Sequence, residues 1–182
     1  MKPYKFALLL GRFQVLHLGH TDMLKKASEV ADCVGVLIGS AQESGTEKNP
    51  LTYEQRKRAL EAVFGDTVTV FPLPDIGVGN NAKWGDYVLD QTESLFGRLP
   101  DVFVSGREQR RVDWFDNPRG LGIAELYVPK TVPISATEMR AYLREDRREA
   151  WQSYSDPRLW PLYEEQRAAV LATVGHTETA SL

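Results

Sequence analysis

The sequence has almost no cysteine: Cys33 is a single thiol in a chain of 182 residues. An internal disulfide is therefore excluded, and this usage is typical of a protein in the reducing cytoplasm. Long apolar runs are missing as well. None approaches the length of about 20 residues that a membrane-spanning helix needs, and there is no signal-peptide pattern. We expect a cytoplasmic protein without membrane contact.

An excess of charge of either sign is also missing. The chain holds 22 Lys and Arg against 25 Asp and Glu, and its formal net charge is −3 at pH 7. Such a balance gives no general electrostatic attraction to nucleic acid or to an anionic membrane surface. We expect neither of them as a partner.

Histidine is scarce, with three in the whole chain. His17 and His20 lie close together, and His176 lies in a polar C-terminal stretch. Two histidines at this spacing are a candidate metal site, but a zinc site would need carboxylates to complete it. We therefore predict no metal ligands among the protein side chains.

The amounts of apolar and charged residues, 42% and 26%, are ordinary for a globular protein. A chain of this length suits one domain and can bury roughly 70% of the surface that it exposes when unfolded. We predict a single domain over residues 1–182. Its core spans about 5–145, a C-terminal helical segment spans about 146–174, and a loose tail spans 175–182.

Strand and helix patterns alternate along the chain. Short apolar or β-branched runs predict strands at 6–10, 34–38, 67–73, 101–105 and 125–128. Helical periodicity and capping signals predict helices at 20–31, 52–64, 84–96, 135–144 and 159–174. The second of these helices opens with a capping box of Thr52 and Gln55. The alternation predicts an α/β fold: a mainly parallel sheet with helices on both faces and a C-terminal helix. Ligands of such sheets bind at the carboxyl ends of the strands.

The first strand–helix junction reads FALLLGRFQVLHLGH. Backbone N–H groups at a helix N-terminus favour an anion, and a glycine such as Gly19 lets the backbone approach a ligand. His17 and His20 can donate to phosphate oxygens, and Arg12 adds a fixed positive charge. The residues predict either a nucleotide-phosphate site or a structural turn.

The letters GRFQVLHLGH resemble the HxGH signature of the nucleotidyltransferase superfamily. Within it they are most similar to nicotinamide-mononucleotide (NMN) adenylyltransferases of the archaeal type, also found fused to Nudix domains in bacteria. That branch usually reads GRFQPFHLGH, and Val15 and Leu16 here replace its Pro-Phe pair. The resemblance implies a Rossmann-like nucleotidyltransferase domain. It implies ATP-binding residues Gly11, Arg12, Phe13, His17, Gly19 and His20.

The loop after the second predicted strand reads IGSAQESGTEKNPLT. Its composition is that of a solvated surface loop. It also resembles the family's segment in which GSAQ is followed by a basic residue and a proline before a helix. The resemblance places Lys48 where the family carries a basic residue that reaches the nucleotide phosphates.

The next loop reads FPLPDIGVGNNAKW. Its prolines and glycines indicate a turn cluster, with Trp84 as a core anchor of the following helix. The loop also resembles the family segment that holds the nicotinamide. By that resemblance Asp75 lies in the binding loop, Asn81 and the backbone near Ile76 bind the carboxamide, Asn80 shares that role, and Trp84 stacks on the cationic ring.

The fourth predicted strand ends in VSGREQRR. Ser105 and Gly106 close the strand, and the resemblance implies that this end contacts the adenosine. Arg107, Arg110 and Arg111 follow on a predicted helical turn. They form either a solvated basic face or a contact with an anionic ligand.

The last motif, PISATEMR, has two interpretations. Ser135 with Glu138 predicts a capping box, which needs no ligand. The segment also resembles the superfamily's second signature, I-S-x-T-x-x-R, in which Ser, Thr and Arg hold the β- and γ-phosphates. The resemblance adds Ile134, Ser135, Thr137 and Arg140 to the ATP-binding residues.

Together the motifs imply adenylyl transfer from ATP to NMN, giving NAD and pyrophosphate without a covalent enzyme intermediate. The implied catalytic residues are Arg12, His17, His20, Lys48 and Arg140. The implied cofactor is Mg2+ carried on the ATP phosphates, and the implied partners are ATP, NMN and NAD. Relatives are often oligomeric, so a homo-oligomer is an open expectation.

Four alternatives compete with this interpretation. Two are sister enzymes, a phosphopantetheine adenylyltransferase and a cytidylyltransferase, and the loop from Asp75 to Trp84 argues against both. A class I aminoacyl-tRNA synthetase fragment shares the HxGH loop, but this chain lacks a KMSKS-like segment. The last is a nucleotide-binding regulatory module without turnover.

Overall fold

The computed structural model of the protein describes residues 1–77, 79–106 and 112–174. Its strands are β1 (Tyr4–Gly11), β2 (Ala31–Gly39), β3 (Val68–Leu73), β4 (Val102–Ser105) and β5 (Ala124–Tyr127). They form one sheet in the order β3-β2-β1-β4-β5, and every neighbouring pair is parallel. The predicted strands are all confirmed, with bounds that differ by at most three residues.

Helices connect the strands and follow the last one. They are α1 (Leu18–Val30), α2 (Tyr53–Phe64), α3 (Asn81–Phe96), α4 (Val112–Phe115), α5 (Ala136–Arg144), α6 (Arg148–Ser153) and α7 (Tyr163–Ala172). Two 3-10 turns, Gly65–Thr67 and Pro157–Leu162, complete the described helical structure. Among these helices, none is long and apolar enough to cross a membrane.

The side chains of β1 alternate between two apolar cores. Ala7 and Leu9 enter the larger core, which is covered by α1, α2, α5, α6 and α7. Phe6 and Leu8 enter the smaller core on the opposite face, beneath α3 and α4. Leu8 and Leu9 are both fully buried, and complete burial of such a side chain contributes about 1.5–3 kcal/mol. The predicted parallel sheet with helices on both faces is confirmed.

The predicted helices at 20–31, 52–64 and 135–144 are found with bounds that differ by at most two residues, and the other two predicted helices differ more. Helix α3 begins at Asn81 instead of Trp84, because the Asn80 side chain caps it by accepting a hydrogen bond from the Lys83 N–H at 3.0 Å. The predicted helix 159–174 begins as a 3-10 turn that contains Pro161, which has no N–H to donate, and continues as α7. The predicted tail, 175–182, lies outside the described residues.

The topology places the predicted motifs at one edge of the sheet. Strand β1 lies between β2 and β4. The chain adds β2 and then β3 on one side of β1, and afterwards adds β4 and β5 on the other side. A reversal of this kind leaves a crevice at the carboxyl ends of the central strands, where parallel α/β sheets bind ligands. The first loop follows β1 directly, and Gly106 follows β4.

Candidate active site

Two histidines cap the N-terminus of α1. His17 is the N-cap residue, and its Nδ1 accepts a hydrogen bond from the Gly19 N–H at 3.1 Å. His20 Nδ1 accepts one from the His17 N–H at 3.3 Å, which completes a reciprocal capping box. The two rings stack with their centroids 3.8 Å apart. The histidines predicted to bind phosphate therefore also build the turn that carries them.

Both imidazoles are neutral near pH 7 in this arrangement. Burial lowers the pKa of His17 from 6.5 to about 4, with Lys130 adding to the effect and Glu138 opposing it. Burial, and then the neighbouring His17, lower the pKa of His20 well below its usual value. Because each Nδ1 accepts a hydrogen bond, each neutral ring carries its proton on Nε2. The pair therefore offers two ring N–H donors.

Close packing fixes the two rings. A Cβ atom at Gly19 would lie 2.9 Å from the His17 ring, so the neighbour that requires glycine here is His17 itself. At Gly11 an added Cβ would lie 2.9 Å from the Phe13 ring. Phe13 is buried and meets the His20 ring edge-on, with centroids 5.1 Å apart. Its side chain supports His20 from the core side.

A cavity of about 350 Å³ opens beside the histidines. This volume lies in the range of small-molecule sites, about 300–1,000 Å³. The predicted residues that line it are His17, Gly19, His20, Gly106, Ile134 and Ser135. The segment after β5 also lines it, with Val128, Pro129, Lys130 and Thr131. Lys130 thus brings a positive charge to the same cavity as the histidine pair.

The second signature begins α5 on the other side of this cavity. Ser135 is the N-cap residue, and its Oγ accepts a hydrogen bond from the Glu138 N–H at 3.2 Å. The Ser135 hydroxyl donates to the Glu138 carboxylate at 2.7 Å. The predicted capping box is therefore wrong in one of its two bonds, because Glu138 binds the hydroxyl of Ser135 and not its backbone N–H.

Arg140 joins the two signatures. Its Nη1 donates to the Gln14 carbonyl in the first loop, and its Nη2 donates to Thr137 Oγ1 at 3.2 Å. Burial lowers the pKa of Arg140, and the positive charges of Arg12 and Arg144 lower it further. Since Arg12 is exposed at the end of β1, the guanidinium groups of Arg12 and Arg140 form a cationic region at the carboxyl edge of the sheet.

The loop that carries Lys48 is anchored at its far end. Gln14 donates to the Leu51 carbonyl and accepts from the Leu51 N–H, both at 2.8 Å. Lys48 itself is exposed, and in the described part of the chain its side chain makes no hydrogen bond or ion pair. Glu47 beside it partly opposes the lowering of the Arg140 pKa, so the loop faces the cationic region.

The predicted nicotinamide loop contacts the Lys48 loop. Gln42 donates to the Asp75 carboxylate at 3.2 Å and accepts from the Asp75 N–H at 2.9 Å. The Tyr87 hydroxyl donates to the Pro74 carbonyl at 2.8 Å, which ties the loop to α3. Asp75 and Ile76 are exposed.

The structure places Trp84 in the first turn of α3, where it is half-buried. Its ring lies 5.4 Å from that of Tyr87 and 6.2 Å from that of Trp114, on the edge of the smaller core. Asn81 is exposed beside it, whereas the Asn80 side-chain oxygen is already used as the helix cap. Trp84 therefore packs against the smaller core, while part of its side chain remains exposed.

Some predicted features lie outside the described residues. These are Arg107, Arg110 and Arg111. Ser105, which is described, ends β4 and accepts a hydrogen bond from the Val128 N–H at 2.9 Å through its carbonyl. In the described ranges, no group of three or more His, Cys, Asp or Glu side chains is placed to hold a metal ion.

Comparison with known proteins identifies the family. The sequence pattern of the cytidylyltransferase-like family matches residues 8–142. A nicotinamide-nucleotide adenylyltransferase of Pyrococcus horikoshii is 37% identical over 138 residues, which cover 73% of this chain and 69% of that protein. The enzyme of the same name from Thermococcus onnurineus is 34% identical over 153 residues, covering 81% and 76%.

The chain belongs to the nicotinamide-nucleotide adenylyltransferase branch of the cytidylyltransferase-like family. The resemblance seen in the two signatures is thereby confirmed. The matched residues, 8–142, include both signatures and the loops between them.

A solved structure shares the fold. It is a bifunctional NMN adenylyltransferase/ADP ribose pyrophosphatase from Francisella tularensis, complexed with AMP and a manganese ion. The TM-score is 0.78 at 22% sequence identity, and the match covers 97% of this chain. The chain spans about half the length of that protein, with 53% covered.

Sequence patterns did not predict the residues that hold the loops of this family's fold together. Gln14 and Arg56 are buried polar side chains whose partners are backbone groups distant in sequence. Lys130 lies in a segment that has no motif of its own. Gln42 was inside a quoted motif, but its partner Asp75 lies on a different loop. The one available signal was the position of Arg56 on the same helical stripe as the apolar Ala59, Leu60 and Val63.

Proposed function

We propose that this chain transfers the adenylyl group of ATP to NMN and so forms NAD and pyrophosphate. The observation that supports the proposal most strongly is that both signatures lie at the same cationic edge of the sheet. The stacked His17 and His20 begin α1, and Arg140 of α5 reaches back to the carbonyl of Gln14 in the same loop. The relatives named nicotinamide-nucleotide adenylyltransferase confirm the predicted enzyme class and reaction.

The reaction needs no nucleophile from the protein. An oxygen of the NMN 5′-phosphate attacks the α-phosphorus of ATP, a new P–O bond forms, and the bond to the bridging oxygen breaks so that pyrophosphate leaves. The protein accelerates such a step by holding the two substrates in line and by stabilising the charge on the phosphoryl oxygens. No proton has to reach an enzyme base, because the attacking phosphate is already ionised.

The donors for this charge are the ones that the sequence predicted. His17 and His20 offer their Nε2–H groups from the start of α1, where the helix dipole also favours an anion. Arg12 and Arg140 supply fixed positive charge, with Arg140 placed for the distal phosphates together with Ser135 and Thr137. Lys48 reaches the phosphates from its exposed loop. Its exposed side chain, which makes no hydrogen bond or ion pair within the described residues, supports this role.

The adenosine occupies the cavity between α1 and α5. Gly11, Phe13, Gly19, Ser105, Gly106 and Ile134 complete the proposed ATP-binding set. Phe13 acts there through its backbone, since its side chain is buried. At the other end of the crevice the nicotinamide lies against the loop before α3, with Asp75, Ile76, Asn80, Asn81 and Trp84 as its binding residues.

A divalent cation, Mg2+ in our proposal, is carried by the ATP phosphates and neutralises part of their charge. The described residues suit this arrangement, since the phosphate edge is lined by histidine, arginine and lysine and not by a cluster of carboxylates. The manganese ion in the AMP complex of the Francisella protein is in line with divalent-metal use in the family.

The remaining predictions stay proposals. They are a single nucleotidyltransferase domain over 1–182, a cytoplasmic location, the lack of nucleic-acid and membrane partners, and a homo-oligomer as an assembly of the chain. The lone cysteine and the balanced charge support the location and the lack of such partners.

A substrate panel tests the proposed function. The purified chain is incubated with Mg2+ and ATP plus NMN, ATP plus phosphopantetheine, CTP plus NMN, or ATP plus each amino acid, and both pyrophosphate and the nucleotide product are measured. We expect pyrophosphate with ATP and NMN, in equal amount to NAD. A faster reaction with another pair would favour a sister enzyme or a synthetase fragment. ATP binding without pyrophosphate release would favour a regulatory module.

A further inference from the structure

Arg56 is a fully buried cation in the first turn of α2, with 0% of its surface exposed. Within the described residues no carboxylate forms an ion pair with it. Its guanidinium instead donates to five backbone carbonyls. These belong to Arg12 (3.1 Å), Gly39 (2.9 Å), Ser40 (3.1 Å), Glu43 (3.4 Å) and Thr52 (3.2 Å).

The carbonyls come from the two loops that carry the proposed phosphate-binding cations. Arg12 directly follows β1, and Gly39 ends the neighbouring strand β2, with residues 40–43 after it. Buried backbone carbonyls need hydrogen-bond partners, and arginine has five N–H donors in a rigid plane, whereas lysine has three on one rotating group. Arg56 is thus a side chain suited to satisfy this set of acceptors from one position.

The positive charge of Arg56 remains at neutral pH. Burial, and then the positive charge of Arg12, lower its pKa to about 10, while Asp75 and Tyr53 oppose the shift. A charge in a region of low dielectric constant acts over a longer distance than the same charge in water. It therefore adds to the field of Arg12 at the edge where the phosphates are proposed to lie.

We propose that Arg56 is a positioning residue for the ATP phosphates, which it serves by holding the Arg12 backbone and the 39–43 turn in one fixed arrangement. The proposal rests on the proposed function for the identity of the nucleotide. The guanidinium does not touch the substrate. It fixes the distance between Arg12 and the loop that leads to Lys48, so that Arg12 and Lys48 bind the same triphosphate.

The test compares Arg56→Lys with Arg58→Lys. Both changes keep a positive charge on α2, but Arg58 is exposed and pairs with Glu165, so its replacement is a matched control. Calorimetric ATP binding and steady-state NAD synthesis are measured well below the melting temperature of each variant. We expect Arg56→Lys to weaken ATP by about tenfold or more and to lower kcat, since small displacements of positioning groups can cost about a hundredfold. The NMN affinity should change less, and Arg58→Lys should match the parent.

A purely structural role predicts another result. Arg56→Lys would then melt at a lower temperature, but its folded form would bind ATP and turn over like the parent, and this outcome would overturn the proposal. If the parent itself binds no ATP, the proposed function and the role of Arg56 toward ATP both fail. If the parent binds ATP and forms NAD while folded Arg56→Lys does so equally well, only the role of Arg56 fails.

Two further measurements do not depend on the folding of Arg56→Lys. Millimolar guanidinium should restore part of the ATP affinity of Arg56→Ala, while urea, which is neutral and of similar shape, should not. In the parent, the NMR signal of Arg56 Nε–H should shift when an ATP analogue binds, and that of Arg58 should stay in place. Equal rescue by urea, or an unmoved Arg56 signal, would contradict the proposal.

Discussion

His17 and His20 stack at 3.8 Å, and each ring has its Nδ1 turned toward a backbone N–H of its own loop. A proton on either Nδ1 would face that N–H donor and break the cap. The pair is therefore held in its neutral form by the turn that it builds. The structure thereby couples the cap of α1, the charge of the two rings and the direction of their Nε2–H groups.

This coupling predicts how stability depends on pH. His17 has a pKa of about 4 when folded and about 6.5 when unfolded, so the unfolded chain binds more protons between these values. The free energy of unfolding must then fall as the pH drops from about 6.5 to 4, by up to roughly 3 kcal/mol from His17 alone. Urea unfolding at several pH values would measure it. His17→Asn, which keeps a good N-cap without a titrating group, should show a shallower fall. Equal slopes for parent and variant would contradict the account.

Arg140→Ala should weaken ATP more than NMN, because we propose that the guanidinium binds the distal phosphates. The variant also loses the bond to the Gln14 carbonyl, so some loss of stability is expected. Arg144→Ala, one turn further along α5, is the control and should leave both affinities nearly unchanged. Separate calorimetric titrations of the two ligands decide it. An equal loss for both, or a loss confined to NMN, would assign Arg140 another role.

Trp84→Ala should weaken NMN selectively. Base–aromatic stacking is worth about 1–3 kcal/mol, so we expect the dissociation constant of NMN to rise by about tenfold or more, and ATP to be nearly unaffected. Trp84→Phe should recover part of the loss. Because Trp84 is half-buried, the stability cost should stay below the 3–5 kcal/mol or so of a buried aromatic residue.

Trp160→Ala is the matched control for Trp84, since Trp160 is 41% exposed on the turn before α7. It should leave NMN binding unchanged. A large fall in the melting temperature of Trp84→Ala without selective loss of NMN would make Trp84 a packing residue only. The preference for nicotinamide over a sister substrate would then lose its main support in this loop.

The reciprocal bonds between Gln42 and Asp75 predict an exchange experiment. Asp75→Asn keeps an acceptor oxygen for the Gln42 amide N–H, so through this contact it should change NMN affinity little. Gln42→Glu sets two carboxylates against each other and should weaken NMN by several-fold through displacement of the loop. The double change, Gln42→Glu with Asp75→Asn, restores complementary donors and acceptors and should recover most of the NMN affinity. If Asp75→Asn alone weakens NMN as much as Gln42→Glu, Asp75 acts on the ligand directly.

Local patterns predicted the elements of this fold because each was strongly marked. The apolar run of β1 and the capping box of Thr52 with Gln55 are examples, and both are found as expected. The start of α3 was missed because asparagine favours turns and helix caps equally, and only the observed bond from Asn80 to the Lys83 N–H separates the two. Pro161 explains why the last predicted helix begins as a 3-10 turn before α7, since proline has no N–H to donate.

The residues of the candidate site also differ in whether local sequence patterns could predict them. Motif residues such as His17 and Arg140 could be named, because their chemistry is local and the resemblance supplied their order. Gln14 and Arg56 could not, because the partners of their side chains are backbone groups more than ten positions away or on other loops. No local pattern contains that information. It follows only from the order of the strands, which sets the ends of β1 and β2 side by side.

The most direct test of the central claim is the rate of NAD formation in a single turnover by His20→Ala. His176→Ala is its control, because His176 is the remaining histidine besides the pair. Loss of one donor to the phosphoryl oxygens is worth on the order of 3 kcal/mol, so His20→Ala should be slower by about a hundredfold. Circular dichroism and melting confirm that the variant is folded, and His176→Ala should match the parent. NAD formation by folded His20→Ala at the parent rate would contradict the assignment of adenylyl transfer to the histidine loop.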